Sequence, residues 1–239
     1  MKILIVGTCA SRGPGSWPYF LETTLGCEVV NLSMSGVNGG YAHETVINEI
    51  ALRRDWYDLV LVVWGESHHT AIKVDDIDYF KGSINTSKYQ SEQNDWPEKI
   101  VEPFNDQSLV PQNWVLGIGA RRGMRDKTEE LFGPYHRFVK YPQLLESDLI
   151  RMISTQEVLK ANNMPYLFLF GSKLKQVKRF EHLYAMINWE NFYTEDNLAD
   201  IAIRHPEWQT TENKYPTEPG QQYYAEILAK YIKDRQLGF

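Results

Sequence analysis

Three continuous apolar runs constrain this chain more than any other feature. They are Ile3-Leu4-Ile5-Val6, Leu59-Val60-Leu61-Val62-Val63-Trp64 and Tyr166-Leu167-Phe168-Leu169-Phe170. None alternates with polar residues, so each suits a strand covered on both faces, as in a parallel sheet. Glu28-Val29-Val30-Asn31-Leu32 reads as a shorter fourth strand, and the segment from Tyr184 to Trp189 as a fifth. Between the runs, apolar residues recur at helical spacing. Ala42, Val46, Ile47, Ile50 and Ala51 mark one helix, and Leu149, Ile150, Ile153, Val158 and Leu159 a second. Tyr224, Ile227, Leu228, Tyr231 and Ile232 mark the last and clearest. Thr217 stands where an N-cap belongs, and Gly238 lies beyond the expected end. Alternating strands and helices predict a doubly wound α/β fold around a central parallel sheet.

One α/β domain accommodates all 239 residues, and no internal repeat or linker divides them. Residues from about 66 to 125 break the rhythm with an acidic stretch, a polar stretch and Pro97, Pro103 and Pro111. A structureless loop of that length is unusual, so the segment reads as an inserted lobe after the third strand. The formal net charge of −6 argues against a nucleic-acid partner held by phosphate neutralisation. Two cysteines, Cys9 and Cys27, make no disulfide framework and point to a reducing compartment. The apolar run at the start is too short for a signal peptide, and no stretch reaches the roughly 18 apolar residues of a membrane span. A cytoplasmic protein without membrane contact is expected.

In an open parallel sheet, ligands bind beyond the carboxyl ends of the strands. The segments that matter are therefore Gly7 to Gly13, Ser33 to Gly40, Trp64 to His69 and, before the last helix, Glu212 to Gly220. No Lys-Ser/Thr pair follows Gly13, so the first is not a P-loop, and Cys9 interrupts any Gly-x-Gly-x-x-Gly. Glu66, His68, His69, Asp75, Asp76 and Asp78 are metal-capable types. The two histidines are adjacent rather than one helical turn apart, and the acidic stretch lacks the EF-hand pattern. Neither a metal nor an organic cofactor is expected. Arg121 and Arg122, with Arg125, form a basic cluster that either binds an anionic substrate group or is a solvated face. Aromatic residues make up 13% of the chain, which suits a sugar-stacking surface or simply a large core.

The order of these four segments resembles the SGNH (GDSL-like) hydrolase superfamily. That family carries Gly-Asp-Ser after the first strand, a Gly after the second, Gly-x-Asn-Asp after the third, and Asp-x-x-His-Pro before the last helix. Here Gly7-Thr8-Cys9, Gly36 (or Gly39), Gly65-Glu66-Ser67-His68 and Glu212-Asn213-Lys214-Tyr215-Pro216 stand at those places, the last followed by Gly220 and Ala225. The resemblance spans both ends of the chain but not residues 72–141. It implies a flavodoxin-like three-layer α/β/α sandwich. It places Cys9 at the nucleophile, Ser67 at the oxyanion-hole asparagine, Glu212 at the catalytic acid and Tyr215 at the catalytic histidine.

Two readings follow. In the first, the chain is an ester hydrolase or acyl-transfer enzyme whose substrate is a small-molecule or carbohydrate ester. A thiolate at Cys9 is favoured by a following helix N-terminus and by Arg12, which makes it a competent nucleophile. The same residue also reads as a small packed side chain, and Ser11 offers a second hydroxyl in the same turn. Tyr215 is a poor base at neutral pH, so His68 or His69 takes that role, and Glu212 orients or replaces it. Adjacent side chains point apart, so at most one of the pair faces the site. Backbone N–H groups of Cys9 and Gly36, with Ser67, would hold the oxyanion. In the second reading the scaffold has lost its triad. It then binds a sugar or a protein partner, and in this it resembles the divergent SGNH-like chains found among large tailed phages.

Overall fold

A computed structural model of the chain describes residues 1–7, 11, 15–33, 39–65, 71–73, 114–116, 141–171, 177–209 and 216–238. Its centre is a four-stranded sheet of β1 (Lys2–Val6), β2 (Glu28–Asn31), β3 (Leu59–Trp64) and β6 (Tyr166–Phe170), in the order β2-β1-β3-β6. All three pairings are parallel, with Ile3 against Val29 and Leu59, and Val62 against Phe168. A separate antiparallel pair joins β4 (Ala71–Lys73) to β5 (Trp114–Leu116).

The expected strands fall where the apolar runs lie, because every strand residue from Ile3 to Val6 and from Leu59 to Trp64 is buried. Alternate residues serve opposite layers. Leu4, Val6, Val60, Val62, Trp64 and Phe168 pack beneath α2 (Gly39–Arg53) and α3 (Tyr141–Ala161). Ile3, Ile5, Leu59, Leu61, Leu167 and Leu169 pack beneath α1 (Trp17–Leu25), α5 (Leu198–Arg204) and α6 (Glu218–Asp234). Burying each such aliphatic side chain is worth about 1.5–3 kcal/mol, which is what holds a sheet with two apolar faces between helical layers. The result is the three-layer α/β/α sandwich, with the strand order of a flavodoxin-like sheet.

The fifth strand expected at Tyr184–Trp189 is not one. That segment runs from the end of the short helix α4 (Glu181–Tyr184) through a turn into a 3-10 turn at Trp189–Asn191. Two of its apolar residues, Tyr184 and Ile187, are buried in the core all the same, while Met186 is exposed. Only Phe192 reaches the sheet, as a single parallel bridge to Phe168, with Tyr193 N–H donating to the Phe168 carbonyl at 2.9 Å.

Two helix ends also differ in detail. Thr217 does occupy the N-cap of α6, but its side chain makes no capping bond. Its backbone N–H is instead held by the Trp208 carbonyl at 2.6 Å. At the other end, Arg235 is the C-cap, and Gly238 lies further on, against Leu59 and Met1. No helix among the described residues is long and apolar enough to cross a membrane.

Candidate functional site

β1 lies between β2 and β3, so the chain leaves β1 and β3 toward opposite sides of the sheet. The carboxyl ends of these two strands are the topological switch point where such sheets bind ligands. The strands approach closely there. A Cβ on Gly7 would lie 2.5 Å from Val63 Cβ, so only glycine fits at the exit from β1. Beyond Gly7, residue Ser11 is fully buried, and its carbonyl accepts a hydrogen bond from Asn31 Nδ2 at 2.6 Å. Asn31 Oδ1 in turn accepts from Ser33 N–H at 3.1 Å. One amide at the end of β2 therefore ties together the exits of two neighbouring strands. Tyr41 adds a third tie, its hydroxyl donating to the Leu32 carbonyl at 2.8 Å.

A second pair of anchors brings the far end of the chain to the same edge. Gln221, buried in the first turns of α6, accepts from Trp17 N–H at 3.1 Å and donates to the Pro216 carbonyl at 3.3 Å. Gly15 lies beside the Glu218 side chain, 3.8 Å away measured from an added Cβ. An isolated antiparallel bridge joins Gln209 to Pro216. Gly15 and Trp17 at the start of α1 thus meet Pro216, Glu218 and Gln221 at the start of α6, although they are nearly a chain length apart.

The third side of the edge is set by α2 and α3, which run parallel. Gly39 meets Asp148, His43 meets Thr155, and Arg54 donates to the Asn162 carbonyl. Since Gly39 starts α2 while Asp148 is the eighth residue of α3, the first two turns of α3 project about 10 Å past the start of α2. Trp64, the last residue of β3, is buried beneath this corner and stacks edge-on against Phe168 at 5.4 Å.

Burial at this edge leaves polar atoms without protein partners among the described residues: Ser11 Oγ, Ser33 Oγ and Trp64 Nε1. Each stands at or just beyond a strand's carboxyl end.

Ser11 is the one residue of the sequence-derived site that lies among the described ones. Cys9, Arg12, Gly36, Ser67, His68, His69, Arg121, Arg122, Glu212 and Tyr215 lie outside them. His205, another histidine near the last segment, is described. Its ring stacks on Trp208 at 4.1 Å and its Nδ1 pairs with Glu207 at 3.1 Å. Asn31, Asp148 and Gln221 were missed by sequence reasoning. No local pattern marks them, because each acts on a partner far away in the chain. Among the described residues no group of three or more His, Cys, Asp or Glu is placed to hold a metal ion.

His43 carries a defined tautomer. The Thr155 hydroxyl donates its one proton to the Arg151 carbonyl at 2.8 Å, so it accepts from His43 Nδ1–H at 2.9 Å. Burial, and then the Arg151 cation, hold this histidine below the ordinary imidazole range. Cys27 packs partly buried on the α1 face. Burial and then Glu22 push its thiol up.

No family model matches the sequence, and no curated protein matches it. Solved structures do. A psychrotrophic esterase, EstA from Pseudoalteromonas sp., inhibited in that structure by monoethylphosphonate, superposes with a TM-score of 0.52 at 12% identity, covering 98% of each chain. TesA superposes with a TM-score of 0.50 at 14% identity, over 98% of this chain and 99% of its own. At such identities the likeness establishes the fold, and it does so over essentially the whole length of both partners.

Proposed function

On the SGNH-hydrolase fold of this chain, we propose an ester hydrolase or acyl-transfer enzyme with Cys9 as its nucleophile. The observation that carries the reading is the pair of bonds from Gln221 to Trp17 and Pro216. They join Trp17, eight residues after Cys9, to Gln221 and Pro216, the latter next in sequence to Tyr215, which supports a nucleophile and an acid meeting at this edge. Nucleophile and acid must meet in that way, since a triad works only within hydrogen-bond reach. Ser11, fully buried, is the weaker nucleophile of the two in this turn, because an attacking atom needs access to the acyl carbon.

In the proposed reaction the Cys9 thiolate attacks the ester carbonyl carbon. The carbonyl π electrons move to oxygen, where the N–H groups of Cys9 and Gly36, with Ser67, stabilise the charge. Collapse breaks the acyl C–O bond, and the alkoxide leaves with a proton from His68 or His69, oriented by Glu212. Water, deprotonated by the same imidazole, then attacks the thioester, releasing the acid and regenerating the thiolate. When an alcohol takes the place of water, the outcome is acyl transfer. The substrate would be a small-molecule ester or an acylated carbohydrate, with Arg12, Tyr215, Arg121 and Arg122 as candidate substrate contacts. The segment 66–125, which includes β4 and β5, would be an inserted lobe of this one domain.

A second reading, a binding protein on a degenerate site, is favoured by one observation: tyrosine, not histidine, occupies position 215. The two readings separate in a trapping experiment. Incubation with an activated acetyl ester, acid quench and peptide mass mapping should find an acetyl group on the peptide carrying Cys9. An unmodified Cys9 peptide, with no ester turned over across a panel, supports the binding protein.

A further inference from the structure

Asp148 is a buried carboxylate that the sequence reading passed over, and its position ties it to the start of α2. An ideal Cβ on Gly39 would lie 2.5 Å from Asp148 Oδ1 and 3.3 Å from Trp64 Cζ3. The carboxylate therefore sits directly against the first residue of the helix, and only glycine leaves room for it. The start of α2 is itself buried: Gly39, Gly40, Tyr41 and Ala42 are all in the interior. The first four N–H groups of a helix have no partners within it, so a buried helix start needs acceptors from elsewhere. The first turn of α2 contains no acidic residue of its own. A negative charge placed there also offsets the positive end of the helix dipole.

Asp148 is fixed in turn from its own helix. Arg151, one turn on in α3, pairs with it at 3.2 Å. The Arg151 carbonyl accepts from Thr155, and Thr155 accepts from His43 on α2. The two helices are thus cross-linked at the carboxylate and again deeper, about one turn along α2 and two along α3.

We propose that Asp148 is a positioning residue for the oxyanion hole. Supplied by α3, its carboxylate stands in for an N-cap at the buried start of α2. It thereby fixes the backbone that leads directly out of the segment holding Gly36. This rests on the acyl-transfer reading above for its catalytic consequence, but not for its structural one.

The test separates the two. Asp148→Ala and Asp148→Asn are compared with wild type by amide hydrogen exchange and by steady-state ester hydrolysis. In Asp148→Ala, exchange at residues 39–42 should speed up tenfold or more while amides of α6 near Leu228 stay as protected as before. The kcat should fall at least tenfold with KM within twofold, and Asp148→Asn, which keeps an acceptor oxygen, should recover part of both. Unchanged exchange at 39–42 overturns the proposal. Faster exchange with an unchanged kcat overturns its catalytic half, leaving Asp148 as a structural cap alone. If Asp148→Ala does not fold, Gly39→Ala pushes the helix start off the carboxylate from the other side and is read in the same way. A wild-type protein that turns over no ester overturns the hydrolase reading, and the exchange measurement still decides whether Asp148 orders α2.

Discussion

Gln221 Oε1 accepts the backbone N–H of Trp17 at 3.1 Å, joining the first turn of α6 to the first turn of α1. Its Nε2 donates to the Pro216 carbonyl in the same step. A glutamine this deeply buried, at 7% exposure, satisfies two backbone groups that water does not reach. Gln221→Leu keeps the volume and removes both bonds. Leaving buried groups unmet costs about 1–3 kcal/mol, so the urea midpoint should fall accordingly. On the proposed chemistry, ester turnover should fall further than stability alone explains, because the starts of α1 and α6 lose their common anchor. A Leu variant with a wild-type urea midpoint contradicts this account of the site's frame.

His43 gives stability a pH dependence of definite sign. Its folded-state affinity for a proton is lowered by burial and by Arg151, whereas in the unfolded chain it titrates near pH 6.5. Below about pH 6.5 the unfolded state therefore binds more protons than the folded one, and this contribution to stability is lost as pH falls. Above that range it is fully present. Glutamine cannot take up the proton and still reaches Thr155. His43→Gln should thus lose less Tm than wild type between about pH 7.5 and about pH 5. Equal losses in the two proteins rule out His43 as the source.

Much of the fold could be read from the chain, for a physical reason. Strands buried on both faces must be apolar without interruption, and Ile3–Val6, Leu59–Trp64 and Tyr166–Phe170 are. The segment Tyr184–Trp189 carries the same signal and is not a strand, because a short helix and turn bury Tyr184 and Ile187 equally well. An apolar run reports burial, not backbone shape. The frame of the site was not legible. Gln221 meets a backbone group 204 residues away, and Asp148 meets a glycine on another helix. A polar residue on a helix reads as solvent-facing until its partner is known. The complete burial of Ser11 was hidden for the same reason.

The two cysteines should differ in reactivity. Burial and Glu22 raise the Cys27 thiol above its ordinary range, which leaves less thiolate at neutral pH. Cys9, proposed as an activated nucleophile, should be alkylated by iodoacetamide about tenfold faster or more near pH 7. Peptide mass mapping at short times assigns the label. Faster labelling at Cys27 runs against the proposed chemistry.

The most direct measurement is steady-state hydrolysis of p-nitrophenyl acetate by wild type and by Cys9→Ala, with Cys27→Ala as the control. Removing a nucleophile that forms a covalent intermediate typically costs several orders of magnitude. The account predicts turnover by wild type and Cys27→Ala, and a loss of at least about 10³-fold in Cys9→Ala. Wild-type turnover that survives in Cys9→Ala contradicts it.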